Sequence, residues 1–106
     1  MLAMISQPMA GKKAQEMEEV RRNAFKALKN RGYEVTLTLF ENERTIKSEI
    51  ESMGIENVPL YYLGRSLEKM SMCNAVYFCK GWENARGCRI EHEAAKAYGL
   101  EIIYEE

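Results

Sequence analysis

Two stretches of the chain combine residue types that could hold a ligand. The first is SQPMAG (Ser6–Gly11), which follows an apolar run and offers the Ser6 hydroxyl, backbone N–H groups and the start of a helix. Such groups together can hold a hydroxyl or an anion. The stretch contains neither the P-loop pattern nor the dinucleotide-binding pattern of glycines. On these residues alone, a binding loop and an ordinary strand-to-helix turn are equally compatible.

The second stretch is GWENARGC (Gly81–Cys88), in which Gly87 opens a predicted helix. The unpaired N–H groups near Arg86 and Gly87 would point outward at the positive end of the helix dipole. Glu91 follows one turn later on the same face. A carboxylate partly withdrawn from water has a raised pKa and can act as a base or a nucleophile, although an exposed helix glutamate is the alternative interpretation.

Several aromatic residues lie close to these stretches. Trp82 could stack on a base or cover a hydrophobic seam. His92 adjoins Glu91 in sequence but lies about 100° round the helix, so we interpret it as a surface residue and not as a catalytic partner. Tyr61 and Tyr62 could line a crevice or pack on the sheet, and core packing is expected for one of them.

Strands and helices alternate along the chain in the hydrophobic pattern. Apolar and β-branched runs predict strands, and apolar residues at three- and four-residue steps predict helices. The predicted strands are Leu2–Ser6, Tyr33–Leu39, Asn74–Cys79 and Glu101–Tyr104. The predicted helices are Lys13–Asn30, Glu43–Met53, one opened by Pro59 that reaches Met70, and Cys88–Tyr98.

This alternation predicts an α/β fold over residues 1–106 as a single domain. Right-handed crossovers give a flavodoxin-like (Rossmann-like) three-layer sandwich, with a parallel sheet of four to five strands in the order 2-1-3-4. Ligands of such sheets bind beyond the carboxyl ends of the strands where the order reverses. The loops after the first and third strands, SQPMAG and KGWENARG, are therefore expected to face each other across this crevice.

Composition narrows the range of partners. Lys and Arg number 15 against 16 acidic residues, a net charge of -1, so no overall field favours a nucleic acid polymer or an anionic membrane. If a ligand carries a phosphate, a local group of donor side chains or N–H groups must bind it, because the overall charge does not. No apolar run approaches a membrane span, and we expect a cytoplasmic protein. The three cysteines form no C-x-x-C pair, so we expect reduced, buried thiols and no metal site. We also expect no cofactor.

Three stretches of the sequence resemble motifs of a known superfamily. GCRIEHEAAKAYG is similar to the G-T-x-x-E-x-G-x-A-x-A-x-G helix of the nucleoside 2-deoxyribosyltransferase superfamily, and its Glu91 matches the conserved glutamate of that pattern. ISQPMAG resembles the first-strand loop of the superfamily, and RSLEKMSMCNAVYF resembles its D-L-x-x-L-x-x-A-D-x-V-V stretch. The combination of SQPMAG, YYLG, GWENARGC and EHEAAKAYG most closely resembles the DUF4406 family, which phages and bacteria often carry.

The resemblance implies a homo-oligomer that binds a nucleoside or nucleotide. Enzymes of the superfamily cleave the N-glycosidic bond by attack of a glutamate on the anomeric carbon of a 2-deoxyribose, and Glu91 matches that nucleophile. The implied ligand contacts are the sugar or phosphate at Ser6 and Gly11, with Gln7, Pro8 and Met9 in the same loop, the phosphate at Arg86 and Gly87, and the base at Trp82.

Three departures from the superfamily pattern keep other functions open. Ser66, a predicted substrate-binding residue, and Asn74 stand where the enzymes usually carry aspartates, and Glu93 stands where glycine is common. Loss of a general acid or base typically costs about 10²- to 10⁴-fold in rate. The alternatives to an enzyme are a nucleotide-binding module without turnover and an assembly protein with a vestigial site.

Overall fold

The computed structural model describes residues 1–9, 11–36 and 43–106. Strands and helices alternate as expected, with one short 3₁₀ turn at Trp82–Asn84. The strands are β1 (Leu2–Ser6), β2 (Glu34–Val35), β3 (Ala75–Phe78) and β4 (Glu101–Tyr104). The helices are α1 (Ala14–Asn30), α2 (Glu43–Met53), α3 (Val58–Met70) and α4 (Arg86–Ala97).

The four strands form one parallel sheet in the order β2-β1-β3-β4, which confirms the predicted topology. β1 and β3 are the central strands, and Ser6 at the end of β1 is in register with Phe78 at the end of β3. Every residue of β3 is buried, as is typical of a parallel strand covered on both faces. The carboxyl ends of the two central strands therefore coincide at one edge of the sheet.

Helices cover both faces of the sheet, so the fold is a flavodoxin-like three-layer sandwich. On one face, Ala24 and Leu28 of α1 pack against Ala3 and Tyr77. On the other face, α3 and α4 contribute Met70 and Ala95 to a core with Met4, Val76 and Phe78. Because side chains alternate along a strand, neighbouring residues of β1 and β3 supply the two cores in turn.

The helix boundaries differ from the predicted ones by one or two residues. α1 begins at Ala14 because Lys13 has an extended backbone. α3 begins one residue before Pro59, since the Asn57 side chain accepts a hydrogen bond from the Leu60 N–H at 3.1 Å and caps the helix. α4 begins at Arg86, two residues before the predicted start.

The second strand is shorter than predicted within the described residues. The pattern predicts Tyr33–Leu39, whereas β2 covers Glu34–Val35, and residues 37–39 lie outside the described residues. Tyr33 is buried in the core, and its hydroxyl donates a hydrogen bond to Glu101 of β4. The predicted bounds of α2 and β4 are confirmed.

The cysteines are buried and unpaired, which confirms the prediction of core thiols. Cys73, Cys79 and Cys88 lie before β3, after β3 and in the first turn of α4. Within residues 1–9, 11–36 and 43–106, no helix has the length and apolar character that a membrane crossing requires.

Candidate functional site

The loops that follow the two central strands touch each other. Gly81, after β3, has a φ of 91°, a left-handed conformation that side chains other than hydrogen rarely adopt. A Cβ atom at Gly81 would lie 3.7 Å from Cγ of Pro8 in the loop after β1. The structure thus brings the two predicted loops together at the carboxyl edge of the sheet.

A cavity of about 900 Å³ opens beside this contact. The cavity is lined by eight of the predicted site residues: Ser6, Gln7, Pro8, Met9, Ser66, Arg86, Gly87 and Glu91. The lining also includes residues of β1, α1, α3 and the end of β2, which extends the cavity well beyond the two loops. A cavity of this size at the switch point of a parallel sheet is the usual location for a small-molecule ligand.

Glu91 is held at the cavity wall by a buried hydrogen bond. The Ser6 hydroxyl donates to Oε1 of Glu91 at 2.7 Å, a contact between residues 85 positions apart in the chain. Ser6 is 2% exposed and Glu91 8% exposed. The carboxylate is therefore nearly withdrawn from water, and the alternative interpretation of Glu91 as an exposed helix residue is wrong.

The environment of Glu91 acts on its protonation in two opposing ways. Burial raises the pKa of Glu91 above its ordinary value, because the charged form loses its hydration. The hydroxyls of Ser6 and Ser66 hydrogen-bond to the carboxylate and oppose this rise in pKa. The result is a carboxyl group whose pKa is raised, placed where a ligand would contact it. Perturbed carboxyl groups of this kind are concentrated at functional sites.

The thiol of Cys88 lies close to Ser6 and Glu91, since both influence its pKa. Burial raises the pKa of Cys88, the Ser6 hydroxyl lowers it, and the nearby charge of Glu91 raises it. Cys79 lies close by, and burial raises the pKa of its thiol to about 12. Both thiols therefore remain protonated at neutral pH, and neither has the character of a reactive thiolate nucleophile.

Positive side chains from three helices line the cavity: Arg21 of α1, Lys69 of α3 and Arg86 of α4. Among the described lining residues, Glu91 is the one acidic side chain. Arg21 also lies near the β3–α4 loop, since its charge lowers the pKa of Cys79 in opposition to burial. This charge distribution favours an anionic ligand.

Large apolar side chains line the mouth of the cavity. Met9, Leu60 and Ile90 are all exposed to solvent and come from the β1–α1 loop, α3 and α4. Tyr62 lines the cavity as well, whereas the Tyr61 hydroxyl donates a hydrogen bond to Glu49 of α2. An apolar mouth beside buried polar groups suits a ligand with one flat hydrophobic part and one polar part.

Two predicted site residues do not line this cavity. Gly11, with a φ of 74°, lies in the turn before α1. Trp82 stacks on His92 at 4.0 Å between ring centroids and packs against the core that contains Phe78. His92 is half-buried, and its Nε2 is hydrogen-bonded to the Tyr104 hydroxyl at 2.7 Å in an exposed position, so it lies at the surface under partial cover from Trp82.

Other polar residues of the predicted site have structural partners. The Gln7 amide nitrogen donates to the Met17 carbonyl at 2.6 Å and ties the β1–α1 loop to α1. Asn74 lies at the opposite edge of the sheet, where its side-chain oxygen accepts a hydrogen bond from the Leu2 N–H at 2.9 Å. The absence of an aspartate at residue 74 therefore does not concern the cavity.

Arg21, Leu63 and Lys69 are cavity residues that sequence reasoning missed. Leu63 and Lys69 lie three residues before and after Ser66 on α3, so helical spacing from Ser66 was a usable signal for both. No local signal points to Arg21, because α1 covers the opposite face of the sheet from α3 and α4.

The comparisons with known proteins identify a family. A family model described as "Domain of unknown function (DUF4406)" matches residues 1–104, nearly the whole chain. Neither curated proteins nor solved structures give a match.

Proposed function

The chain belongs to the DUF4406 family, and from the geometry of its cavity we propose that it binds a nucleoside or nucleotide and cleaves the N-glycosidic bond through Glu91. The observation that carries this proposal is the buried Glu91 carboxylate, hydrogen-bonded by Ser6 inside a cavity at the sheet edge. The resemblance to nucleoside 2-deoxyribosyltransferases supports it, since Glu91 matches their nucleophile.

In the proposed reaction the Glu91 carboxylate attacks the anomeric carbon of the sugar. A C–O bond forms as the C–N bond breaks, and the bonding electron pair leaves with the base, which takes up a proton from water. Water then attacks the same carbon, the ester C–O bond breaks to restore the carboxylate, and the excess proton passes to solvent. Covalent catalysis of this kind divides one difficult displacement into two easier ones.

The other cavity residues have assigned parts in this proposal. Arg86 and the Gly87 N–H, at the positive end of α4, hold a phosphate if the ligand carries one. The base lies against the apolar mouth formed by Met9, Leu60 and Ile90. Trp82 is left out of the ligand contacts because its indole packs on His92.

A specific residue favours a second candidate function. Ser66 provides a hydroxyl to Glu91, where the resembling enzymes usually place an aspartate. A hydroxyl does not protonate a leaving base at neutral pH, so a slow enzyme or a module that binds a nucleotide without turnover fits the same cavity.

Base release and binding, measured separately, distinguish the two candidates. The purified protein is incubated with 2′-deoxynucleosides and their 5′-monophosphates, free base is quantified by chromatography, and binding is measured by calorimetry. Base release by the wild type that is absent in Glu91→Gln supports the enzyme, while binding with no release in either protein supports the binding module. Binding of none of these compounds would contradict both.

A further inference from the structure

The Ser6 hydroxyl, which the sequence predicts as a ligand contact, already has a buried partner in Glu91. The hydroxyl carries one hydrogen, and that hydrogen is donated to Oε1 of Glu91 at 2.7 Å. A phosphate oxygen only accepts hydrogen bonds, so it would have to displace the carboxylate to bind this hydroxyl. The burial of both residues makes that exchange costly, because the Glu91 charge would lose one of its two hydroxyl partners.

We propose that Ser6 is a positioning residue for Glu91, fixing Oε1 so that Oε2 is the oxygen presented to the sugar of the ligand. Three observations carry the proposal. The hydrogen bond is short and buried, Ser6 ends a central strand whose backbone is paired with β3, and Glu91 lines the cavity. A donor on a sheet strand is a rigid reference point for an acceptor on a packed helix.

The hydroxyl also keeps the carboxylate in the form that attacks. A nucleophilic carboxylate must be ionised, and burial alone favours its protonation. Ser6 and Ser66 stabilise the ionised form, and both approach Glu91 from elements other than α4. The account of the attacking oxygen depends on the proposed function, whereas the effect of Ser6 on the ionisation of Glu91 does not.

Few other groups near Glu91 can change its titration. Cys88, on the same helix, stays neutral in the acid range because burial raises the pKa of its thiol. Arg21, Lys69 and Arg86 line the cavity from α1, α3 and α4, and the Ser6 substitutions leave all three side chains in place. A shift in the titration of Glu91 on loss of the Ser6 hydroxyl is therefore attributable to the lost hydrogen bond.

The test is the titration of Glu91 in the ligand-free protein, followed by ¹³C NMR of glutamate carboxyl groups. The Glu91 signal is identified by its absence in Glu91→Gln. Ser6→Ala and Ser6→Cys both remove the strong donor, and the second keeps the side-chain volume in case the first does not fold. Ser6→Thr retains the hydroxyl, and Ser52→Ala removes an exposed serine hydroxyl of α2 as a control.

We expect the Glu91 titration to move to higher pH in folded Ser6→Ala or Ser6→Cys, and to remain at the wild-type position in Ser6→Thr and Ser52→Ala. If base is released, its rate falls about 10- to 100-fold with loss of the donor, and the acid limb of the pH–rate profile moves in the same direction. An unchanged Glu91 titration in either folded donor-less variant would overturn the proposal. A shifted titration in the donor-less variants, together with no base release by the wild type, would refute catalysis and leave the positioning of the carboxylate intact.

Discussion

Two neighbouring residues of α4, Glu91 and His92, have contrasting surroundings. Glu91 faces the cavity, where a charge is buried with two hydroxyls as partners. His92, the next residue, lies about 100° round the helix and packs on Trp82 and Tyr104, over the ring of Phe78. Aromatic packing stabilises a fold, whereas a buried ionised carboxylate reduces its stability. The proposed chemistry therefore concerns the side of the helix that carries Glu91, and the aromatic packing concerns the side that carries His92.

The largest effect is expected from removing the charge of Glu91 at the cavity. Glu91→Gln preserves the shape of the side chain and its acceptor for Ser6 but removes the nucleophilic oxygen. We expect base release to fall by roughly 10³-fold or more, by analogy with the loss of other catalytic nucleophiles, and ligand affinity to change little. His92→Gln, one residue along, is the matched control, and base release per folded molecule should stay at the wild-type level.

The aromatic cluster around His92 is tested by truncating its largest ring, which comes from the 3₁₀ turn before α4. Trp82→Ala should lower the free energy of unfolding by about 2–3 kcal/mol, since the indole is partly buried in the aromatic cluster. Chemical denaturation measures this loss, with Tyr98→Ala as the control because that ring is 87% exposed. Ligand affinity at a temperature where the variant is folded should be unchanged. If affinity falls instead with stability unchanged, Trp82 contacts the ligand as the sequence predicted.

A smaller effect is expected at the start of α4. Arg86→Ala should weaken binding of a 5′-monophosphate about tenfold, the value of roughly one charge-assisted hydrogen bond, and leave binding of the unphosphorylated nucleoside unchanged. Arg89→Ala removes an equally exposed arginine one turn along that does not line the cavity. Equal losses in both variants would mean that Arg86 acts only through net charge.

The smallest predicted effect is the change in melting temperature caused by Glu91→Gln. Because the pKa of Glu91 is raised in the folded protein, the folded state binds a proton at higher pH than the unfolded state, and folding becomes less favourable as pH rises through that pKa. Glu91→Gln should therefore raise the melting temperature by a few degrees at neutral pH. The gain should shrink as pH falls through the raised pKa toward the ordinary glutamate value.

Melting curves of both proteins over this pH range, at constant ionic strength, measure the effect. A difference in melting temperature that grows toward acid pH would contradict the raised pKa. Ser52→Ala in place of Glu91→Gln provides a control, since its hydroxyl donates to the Glu49 carbonyl at an exposed position of α2.

Patterns of local spacing predicted the fold well. The alternation of strands and amphipathic helices predicts right-handed crossovers and a parallel sheet. The strand order β2-β1-β3-β4 was predicted as the simplest flavodoxin-like arrangement, and the structure has that order. The bounds of α2 follow from Ile46, Ile50 and Met53 on one helical face. The starts of α3 and α4 were less predictable, because a cap depends on side-chain and backbone geometry at one or two residues.

The site was predictable only in outline. Topology places the SQPMAG and GWENARGC loops at one edge, and Glu91 follows from helical spacing. The bond from Ser6 to Glu91 joins residues 85 positions apart, and the direction of the Trp82 ring depends on His92 and Tyr104. Such contacts are set by tertiary packing, which a single sequence does not encode locally.

The most direct test of the central claim is to identify what the cavity holds. Glu91→Gln, purified under mild conditions, is analysed by native mass spectrometry, both as isolated and after incubation with 2′-deoxynucleosides and their 5′-monophosphates. The account predicts a bound nucleoside or nucleotide that is released on denaturation and that competes with the added compounds. A protein that carries no such ligand as isolated, and binds none of those added, would contradict it.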